Sequence, residues 1–379
     1  MHIIIAPDSY KGSLSALQAA KAIREGVLRA APDAKTELVP MADGGEGFTE
    51  ALAAAMDGTI VETDAHDPLG RQIRGFYAFA EATKTAVIEC AAASGLTLLT
   101  DAERNPLRAS TFGTGELIKA ALDRGCERVL LGLGGSATND GGIGMAQALG
   151  FRFLDAAGQV IPAFSDGWLE VAAIDSSGAD PRLAGVRFIA ACDVDAPLYG
   201  ERGASAVFGP QKGASKEDVA RLDTALRQLA VCMTRDIRVD VHALPGGGAA
   251  GGLGAGLYAF CGASMQKGVD LVLDACRFEE RLPGASFVLT GEGRTDEQTA
   301  MGKTAAGIAL RAGKYRVPVI CLSGGLTGDY TKLHEHGIDA CFSIMPHPAS
   351  LEEAIAHAEP WLADAAEQVA RLFAVARHG

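Results

Sequence analysis

The sequence predicts an α/β protein in which parallel sheets are flanked by helices. Three observations lead to this fold class. Short apolar stretches alternate with helical patterns from the first residues onward, the apolar stretches end in glycine-rich polar loops, and the last third of the chain repeats the pattern of the first. A chain of 379 residues is also too long for one typical hydrophobic core, so we expect two domains.

The two ends of the chain together supply five predicted strands. They cover His2–Ala6, Glu37–Met41, Ser286–Thr290, Val317–Ser323 and Ala340–Met345. Helical patterns follow most of these strands, at 14–27, 48–56, 304–312 and 351–377. Ser13 or Ser15 is the expected N-cap of the first helix. A five-stranded doubly wound sheet built from both termini accounts for these elements better than two sequential domains.

The middle of the chain predicts a second α/β domain. Its predicted strands are Thr59–His66, Gly75–Ala80, Thr85–Glu89, Val129–Leu133 and Val186–Cys192. Its predicted helices are 114–124, 145–149 and 216–234. We place the first domain at 1–64 plus 284–379 and the inserted domain at 65–283. Ligands of such sheets bind beyond the carboxyl ends of the strands, so we expect the active site in the cleft between the two domains.

The stretch Arg128–Gly150, RVLLGLGGSATNDGGIGMAQALG, predicts a strand, a glycine-rich turn and the start of a helix. Glycines let backbone N–H groups approach a phosphate, and a helix N-terminus adds partial positive charge. Ser136, Thr138, Asn139 and Asp140 add polar groups to the same loop. An anion-binding loop is favoured. The alternative is a tight turn whose polar residues cap the next helix.

Charge and composition exclude several classes of protein. The net charge of −13 and the lack of Lys and Arg clusters argue against a nucleic-acid partner. The N-terminal residues lack the features of a signal peptide, and no apolar run reaches the length of a membrane span. We therefore expect a cytoplasmic protein with no membrane partner. The eight cysteines and eight histidines show no metal-ligand spacing, so we expect reduced thiols and no protein-built zinc site.

Two familiar nucleotide-binding motifs are incomplete. Gly302-Lys303-Thr304 looks like the end of a P-loop, but Glu297 stands where the motif requires glycine. Gly246–Gly256, GGGAAGGLGAG, contains dinucleotide-like glycine spacings, but it follows the segment 242–245, HALP, rather than a buried strand. A Walker A motif is excluded, and a Rossmann NAD site is disfavoured.

Acidic and basic residues lie at or near the predicted strand ends, many of them framed by glycines. They are Asp8, Lys11, Asp43, Glu46, Asp193, Asp195, Lys212, Glu292, Arg294 and Asp296. Phosphoryl transfer uses this inventory: carboxylates for Mg²⁺, a carboxylate that orients or deprotonates the attacking hydroxyl, and cations on the phosphates. The alternative for any single residue is a solvated charge or a helix cap. Cys192 beside Asp193 suggests a thiol nucleophile, but a packed strand-end cysteine is favoured.

Motifs in order along the chain closely resemble the bacterial type I glycerate kinases. They are PDSYKGSLSA at 7–16, ADGGEG at 42–47, GTGELI at 113–118, GGSATNDGG at 134–142, CDV with Pro197-Leu198 at 192–198, FGPQKGA at 208–214, GGGAAGGLG at 246–254 and TGEGRTDEQ at 290–298. The resemblance runs from the first strand to about residue 325. The chain departs from the family pattern at Tyr10, where Phe is common, at Ala196, where Asn is common, and at Thr295, where an aliphatic residue is common.

The resemblance implies a glycerate 2-kinase, which transfers phosphate from ATP to D-glycerate with Mg²⁺ and usually gives 2-phosphoglycerate. It also implies two α/β domains, one of them flavodoxin-like and built from both termini. A 3-phosphoglycerate product is an alternative within this class. A dinucleotide-dependent oxidoreductase or a sensor of a small hydroxy acid is an alternative outside it. We expect a monomer or a homodimer.

Phosphoryl-transfer chemistry laid over these motifs gives each candidate residue an expected role. The expected catalytic residues are Asp193 as the favoured general base, Asp296 as the next candidate, and Lys212, which would offset developing charge. The expected glycerate-binding residues are Asp8, Lys11 and Arg294. The expected ATP-phosphate residues are Gly134, Gly135, Ser136, Asn139, Asp140, Gly247, Gly248, Gly251 and Gly252. The expected Mg²⁺ ligands are Asp43 and Glu292, with Asp8 as a further candidate.

Overall fold

A computed structural model of the chain describes residues 1–42, 44–45, 47–296, 299 and 304–378. The chain forms two compact units. The first comprises Met1–Asp43, Glu50–Asp57 and Val269–Gly379, and the second comprises Gly44–Thr49 and Gly58–Gly268. In the described part of the chain, no helix combines the length and apolar character needed to cross a membrane.

The strands and helices are numbered along the chain. The strands are β1 (His2–Ile5), β2 (Lys35–Leu38), β3 (Thr59–His66), β4 (Gln72–Ala80), β5 (Thr85–Glu89), β6 (Arg128–Gly132), β7 (Arg152–Leu154), β8 (Ala173–Asp175), β9 (Arg187–Ala191), β10 (Ser264–Gln266), β11 (Phe287–Glu292), β12 (Val319–Ser323) and β13 (Ala340–Ser343). The helices are α1 (Ala16–Ala30), α2 (Phe48–Ala55), α3 (Ala91–Ser94), α4 (Phe112–Asp123), α5 (Ile143–Ala148), α6 (Ala204–Phe208), α7 (Lys216–Cys232), α8 (Leu253–Cys261), α9 (Gly268–Ala275), α10 (Phe278–Arg281), α11 (Thr304–Gly313), α12 (Leu351–Ala356) and α13 (Ala358–His378).

The first unit is built on a five-stranded sheet with the strand order β13-β12-β11-β1-β2. All neighbouring strands in it are parallel. Numbered within the unit alone, this is the 2-1-3-4-5 order of flavodoxin-like folds. The strands come from both ends of the chain, as the sequence predicts. The predicted α/β class with a flavodoxin-like doubly wound sheet is therefore confirmed.

Continuous apolar runs explain why these segments form buried parallel strands. Ile3 and Ile5 of β1 lie in a core shared with α1 and α13, and the intervening Ile4 points to the opposite face and is also fully buried. Helix α1 begins with a capping box: the Ser15 Oγ accepts from the Gln18 amide, and the Gln18 side chain accepts from the Ser15 amide. Of the two predicted N-caps, Ser15 is thus the one that is used.

The second unit contains a six-stranded sheet with the order β10-β9-β6-β5-β4-β3. Strands β5, β6, β9 and β10 are parallel neighbours, whereas β3 and β4 extend the sheet in the antiparallel sense. Parallel strands end at the same edge of a sheet, so the loops that follow β5, β6, β9 and β10 share one edge. Strands β7 and β8 form a separate antiparallel pair.

Several differences from the predicted elements have simple physical reasons. Strands β7, β8 and β10 have three residues each, which is too short for a detectable period. The helix predicted at 216–234 ends as α7 at Cys232 and continues as a π-helical turn, Met233–Ile237. The predicted C-terminal helix 351–377 is wrong as a single helix. It is divided at His357 into α12 and α13, and Pro360, which fits only a first helical turn, explains the break.

The compact units divide at points that differ from the domain boundaries predicted at 64/65 and 283/284. Residues 58–64 group with the second unit because β3 pairs along its whole length with β4. Residues 269–283 group with the first unit, where Arg311 of α11 bonds to Asp270 and Asp274 of α9. That the units are independent domains stays a prediction.

Gly26 sits where α1 packs against α13, and we expect a Gly26→Ala variant to be less stable than the parent protein. A Cβ at this position would lie 1.9 Å from the Ala363 carbonyl oxygen, which belongs to rigid helix backbone. Overpacking costs about 1–3 kcal/mol, which exceeds the gain of about 1 kcal/mol that alanine brings to a helix. Equilibrium unfolding in urea measures the difference.

Gly313→Ala is the matched control, because Gly313 ends α11 and a Cβ there would meet no heavy atom within 4 Å. This variant should be as stable as the parent or slightly more so. Equal stability of the two variants would contradict the close packing of α1 on α13.

Candidate active site

Two glycine-rich loops of the second unit pack directly against each other. One follows β6 and the other precedes α8. The Gly141 amide donates to the Gly251 carbonyl at 3.0 Å. A Cβ on Gly251 would lie 1.9 Å from the Thr138 carbonyl oxygen, and one on Gly252 would lie 2.8 Å from the Gly141 Cα. Both residues also have positive φ, 67° and 90°, so only glycine fits this approach.

The beginning of the loop after β6 is fixed by backbone contacts. The Gly134 amide donates to the Gly44 carbonyl at 3.0 Å, and a Cβ on Gly134 would lie 2.4 Å from the Gly45 Cα. The Gly135 carbonyl accepts from the Leu96 amide at 2.9 Å. Parts of the motifs at 42–47 and 134–142 are thereby brought together, because their glycines allow the two backbones to approach closely.

The second loop is tied to the segment that follows β9. The Gly248 amide donates to the Ala196 carbonyl at 2.9 Å, and a Cβ on Gly248 would lie 2.2 Å from the Pro197 carbonyl oxygen. The Gly247 amide donates to the Leu244 carbonyl at 3.0 Å. These two amides therefore shape the loop by bonding to protein carbonyls. The motif at 192–198 joins the same edge of the sheet as the two glycine loops.

Asp140 holds the first loop from inside the protein. Its carboxylate, 2% exposed, accepts four hydrogen bonds, from the amide and hydroxyl of Thr111 and from the amides of Gly142 and Gly144. Burial nevertheless raises the pKa of the Asp140 carboxyl. All of these donors belong to the protein, so Asp140 acts as a brace that connects the loop to the start of α4 and α5.

Lys212 lies beneath the same loop. Its ammonium group donates to the Ser136 Oγ at 2.9 Å and to the Thr138 carbonyl at 2.7 Å, and the residue is only 2% exposed. Burial lowers the pKa of Lys212 to about 8, against smaller opposing effects of Cys90 and Asp140. The predicted motifs at 208–214 and 134–142 thus meet at this side chain.

Two buried polar atoms of the first loop have no hydrogen-bond partner among the described residues. They are the Thr138 Oγ1 and the Asn139 Oδ1. Both residues are fully buried, and the Asn139 Nδ2 donates to the Ser205 Oγ at 3.0 Å. Asn139 therefore contacts α6 from inside the loop, so its side chain does not line an open surface.

Asp193 follows β9 and is exposed. Its Oδ1 accepts from the Gly268 amide at 2.9 Å, which places the carboxylate at the shared edge of the parallel strands. The neighbouring Cys192 thiol donates to the Val194 carbonyl at 3.2 Å, and burial raises its pKa. A protonated, hydrogen-bonded thiol fits the packed role that the sequence favours over a nucleophile.

Glu89 is a buried acid for which the sequence predicts only the end of a strand. It is 6% exposed, ends β5, and accepts from the Thr49 amide at 2.7 Å. The carbonyl of the next residue, Cys90, accepts from the buried Thr114 Oγ1 at 3.4 Å. Its place in the sequence could have marked Glu89 as a candidate site residue, because an ionisable residue that ends a fully buried parallel strand lies at the ligand-binding edge of the sheet.

In the first unit, Asp8 follows β1 and Glu292 ends the neighbouring parallel strand β11. The Asp8 amide donates to the Gly291 carbonyl at 2.8 Å, so the two acids leave β1 and β11 side by side. The Asp8 carboxylate accepts from the Ser9 amide at 2.7 Å and the Thr304 Oγ1 at 2.6 Å. The Glu292 Oε1 accepts from the Thr295 Oγ1 at 3.2 Å.

Tyr10 is buried beneath these acids. Its hydroxyl donates to the Leu322 carbonyl at 2.7 Å, which ties the loop after β1 to β12. Burial raises the pKa of Tyr10 well above its usual value, and the charges of Cys321, Glu292 and Asp8 add to the effect. The hydroxyl therefore stays protonated and serves as a fixed donor.

Arg294 and Asp296 lie in the loop that follows β11. The side chain of Arg294 is 70% exposed, and its guanidinium lies 3.5 Å from the Asp296 carboxylate and donates to the Thr327 Oγ1 at 3.2 Å. Lys11 is exposed on the loop after β1. The Lys11 backbone amide would lie 3.2 Å from a Cβ on Gly293, so these two loops run close together.

Asp43 and Glu46 lie outside the described residues, and so does the P-loop-like Gly302-Lys303. Within the described ranges, no group of three or more His, Cys, Asp or Glu side chains is arranged to hold a metal ion. The described acids with a candidate metal role are therefore the pair Asp8 and Glu292.

Comparisons with known proteins fit this geometry. The sequence model of the glycerate kinase family matches residues 3–374. The chain belongs to the glycerate kinase family. It is 48% identical to a glycerate kinase of Halalkalibacterium halodurans over 97% of both chains, and 46% identical to a glycerate 2-kinase of Escherichia coli over 99% of this chain and 98% of that one. A crystal structure described as glycerate kinase 2 from Salmonella typhimurium LT2 is 48% identical and has a TM-score of 0.89, covering 100% of this chain and 99% of that chain.

Membership of the glycerate kinase family makes the chain a kinase and accounts for the concentration of polar groups at the strand ends. Glycines, hydroxyls and one buried lysine meet at the edge of the second unit's sheet. Carboxylates and exposed cations meet at the edge of the first unit's sheet. Both are the ends at which α/β proteins bind ligands.

We expect the stability that Lys212 contributes to rise with pH above about 8. The folded protein releases the Lys212 proton at about pH 8, whereas the unfolded chain keeps it up to about 10.4. Between these values the unfolded state binds more protons, so the free energy of unfolding of the parent should gain about 1.4 kcal/mol per pH unit relative to Lys212→Met. Urea unfolding of both proteins across this range measures the difference.

The exposed Lys216, four residues further along, provides the control. The difference in stability between the parent and Lys216→Met should stay constant over the same pH range. A constant difference for Lys212→Met as well would contradict the burial of the Lys212 ammonium group.

Proposed function

We propose that the protein transfers the terminal phosphate of ATP to the 2-hydroxyl of D-glycerate, giving 2-phosphoglycerate and ADP. The observation that carries the proposal is the match to the glycerate kinase family over residues 3–374, in which one relative, 46% identical over nearly the whole chain, is a glycerate 2-kinase. A 3-phosphoglycerate product is the alternative within the class, because glycerate has one secondary and one primary hydroxyl.

We assign the ATP phosphates to the two glycine loops of the second unit. Gly134, Gly135 and Ser136 begin the loop after β6, and Gly247 and Gly248 begin the other. The remaining candidates, Asn139, Asp140, Gly251 and Gly252, would hold the two loops in shape through buried hydrogen bonds and close backbone packing. Backbone fixed in this way can present amides to a phosphate without reorganisation.

Lys212 would act on the phosphates through the loop. Its ammonium group bonds to Ser136 and Thr138 and is almost fully buried. A positive charge below a phosphate-binding loop lowers the energy of the negative charge that develops during transfer, even without direct contact. We therefore propose an electrostatic and positioning role for this lysine.

We assign glycerate to the strand ends of the first unit. Arg294 offers a planar guanidinium suited to two hydrogen bonds with a carboxylate, and Lys11 offers a second exposed cation. Asp8 would accept a hydrogen bond from a substrate hydroxyl. The exposure of Arg294 supports this assignment because a guanidinium that recognises a small substrate must be accessible.

Asp193 is the proposed general base, and Asp296 is the second candidate. A base must reach the hydroxyl proton through an oxygen that can accept it. The exposed carboxylate of Asp193 is oriented by the Gly268 amide, which bonds to its Oδ1. The Asp296 carboxylate lies 3.5 Å from the Arg294 guanidinium, beside the cation proposed to bind the glycerate carboxylate.

The described residues fit a Mg²⁺ ion that is shared with the ATP phosphates. Magnesium is usually held by one or two carboxylates together with phosphate oxygens, so a cluster of three acids is not required. Asp8 and Glu292, which leave adjacent strands side by side, would hold it, and Asp43 stays a candidate from the sequence alone. When bound, the ion would neutralise charge on the phosphates.

Two further expectations remain predictions from the sequence. They are the cytoplasmic location and the monomeric or homodimeric state.

Phosphorus NMR of a reaction with MgATP and D-glycerate tests the proposed reaction. We expect a signal of 2-phosphoglycerate that grows as ADP forms, because the family match includes a glycerate 2-kinase. Omission of glycerate is the control and should leave ATP intact. A 3-phosphoglycerate signal would contradict the assignment of the 2-hydroxyl, and the absence of any phosphorylated glycerate would contradict the reaction itself.

Asp193→Asn tests the general base. The substitution keeps the size of the side chain and its oxygen acceptor for the Gly268 amide, but it removes the proton acceptor, so turnover should fall by about 10²–10⁴-fold. The matched control is Asp195→Asn, two residues further along and also exposed, which should keep nearly full turnover. Steady-state kinetics with both substrates saturating makes the comparison.

Full turnover of Asp193→Asn would contradict Asp193 as the general base and favour Asp296. Folding of each variant is checked by its circular dichroism, so that a loss of turnover is not mistaken for a loss of structure.

A further inference from the structure

Cys321 and Cys341 form a facing thiol pair in the first unit. They are direct register partners on the parallel strands β12 and β13, so both side chains lie on the same face of the sheet. The two thiols are close enough for the ionisation of one to affect the other. Neighbouring strands lie about 4.8 Å apart, which falls within the Cα separations that disulfides span.

The two thiols differ in access. Cys321 is fully buried on β12, whereas Cys341 is half-buried on β13, which forms the edge of the sheet. Among the eight cysteines of the chain, Cys192 is the other half-buried one, and the remaining six, including Cys321, are buried. A small oxidant can therefore reach Cys341 from solvent, whereas Cys321 is inaccessible to it.

The interaction between the thiols makes the accessible one the more acidic of the pair. The facing Cys321 thiol lowers the pKa of Cys341, partial burial opposes this effect, and the nearby His334 adds to the lowering. The facing Cys341 thiol and burial together raise the pKa of Cys321 well above its usual value. Thiolates react with peroxides, so Cys341 has the character of an attacking thiol and Cys321 that of a resolving thiol.

We propose that Cys321 and Cys341 are an oxidation site that hydrogen peroxide converts into a disulfide between β12 and β13. In the first step the Cys341 sulfur attacks one peroxide oxygen, the O–O bond breaks, and a sulfenic acid and water form. In the second step the Cys321 sulfur displaces the hydroxyl from the Cys341 sulfur, and a second water leaves. Overall the two thiols lose two protons and two electrons, which reduce one hydrogen peroxide to two waters.

The oxidation site is connected to the loop that follows β11. The Cys321 Sγ lies 3.8 Å from the Thr295 Oγ1, and the same hydroxyl donates to the Glu292 Oε1. A disulfide to Cys341 removes the Cys321 thiol hydrogen and turns the sulfur toward β13. We expect the Thr295 and Glu292 side chains to shift. Turnover should then fall, an expectation that rests on the proposed role of Glu292 as a Mg²⁺ ligand.

Peptide mass mapping after treatment with hydrogen peroxide and alkylation tests the modification itself. We expect a linked peptide pair containing Cys321 and Cys341, the loss of two alkylatable thiols, and reversal by dithiothreitol. Cys192→Ser, which removes the other half-buried thiol, should form the same link. Cys321→Ser should let Cys341 oxidise further to a sulfinic acid, since its resolving partner is gone.

The proposal is overturned if Cys341 is alkylated or oxidised no faster than Cys192, or if oxidised Cys341 forms no link in the parent protein. The link is detected by mass and needs no kinase activity, so its failure is distinct from failure of the proposed reaction. Circular dichroism of Cys341→Ser and Cys321→Ser confirms that each variant folds.

The effect on the kinase is measured with the same samples. Turnover of glycerate should fall in proportion to the linked fraction and return with dithiothreitol, whereas Cys341→Ser should keep its turnover through the same treatment. Full turnover in fully linked protein would overturn the connection from Cys321 through Thr295 to Glu292.

Discussion

The close approach of two glycine-rich loops is the constraint on which the edge of the second unit depends. At Gly251 a single added carbon would collide with the Thr138 carbonyl oxygen at 1.9 Å, and no side-chain movement relieves a clash with backbone. The contact fixes the loop after β6, and that loop in turn supplies the acceptors for Lys212. A larger residue at Gly251 would therefore displace the hydrogen-bond acceptors of Lys212, although the two residues belong to different motifs.

Buried charge makes this arrangement both costly and specific. Burial raises the pKa of Asp140 and lowers the pKa of Lys212, so each group is less stable in its charged form than it would be in water. Asp140 offsets the cost with four hydrogen bonds, and Lys212 with two. Partners at fixed backbone positions are satisfied in only one loop conformation, so the two charges select that conformation from the alternatives.

The fold could be predicted from the sequence because its signals are local. Apolar runs such as Ile3–Ile5 specify buried strands, and a serine before a helical pattern specifies an N-cap, as Ser15 does. The candidate site was predictable only as a set of residue types at strand ends. Asp140 is bonded to Thr111, 29 residues away, and the burial of Lys212 follows from packing between segments 76 residues apart. Such contacts depend on the assembled fold, which no local pattern encodes.

Accessible and buried charged groups have different uses in this kinase. In the first unit, acids and an exposed guanidinium keep partial access to water, as Arg294 does with 70% of its side chain exposed. In the loop after β6 of the second unit, Asp140 and the neighbouring Lys212 are instead buried and hydrogen-bonded to protein groups. Accessible charges can exchange their partners for those of a small anionic substrate. Buried, fixed groups cannot exchange partners, but they hold a loop so that it needs no reorganisation when charge develops on a transferred phosphoryl group. A kinase needs both properties, and they are hard to combine in one loop because access to water loosens the fixed geometry on which the second depends.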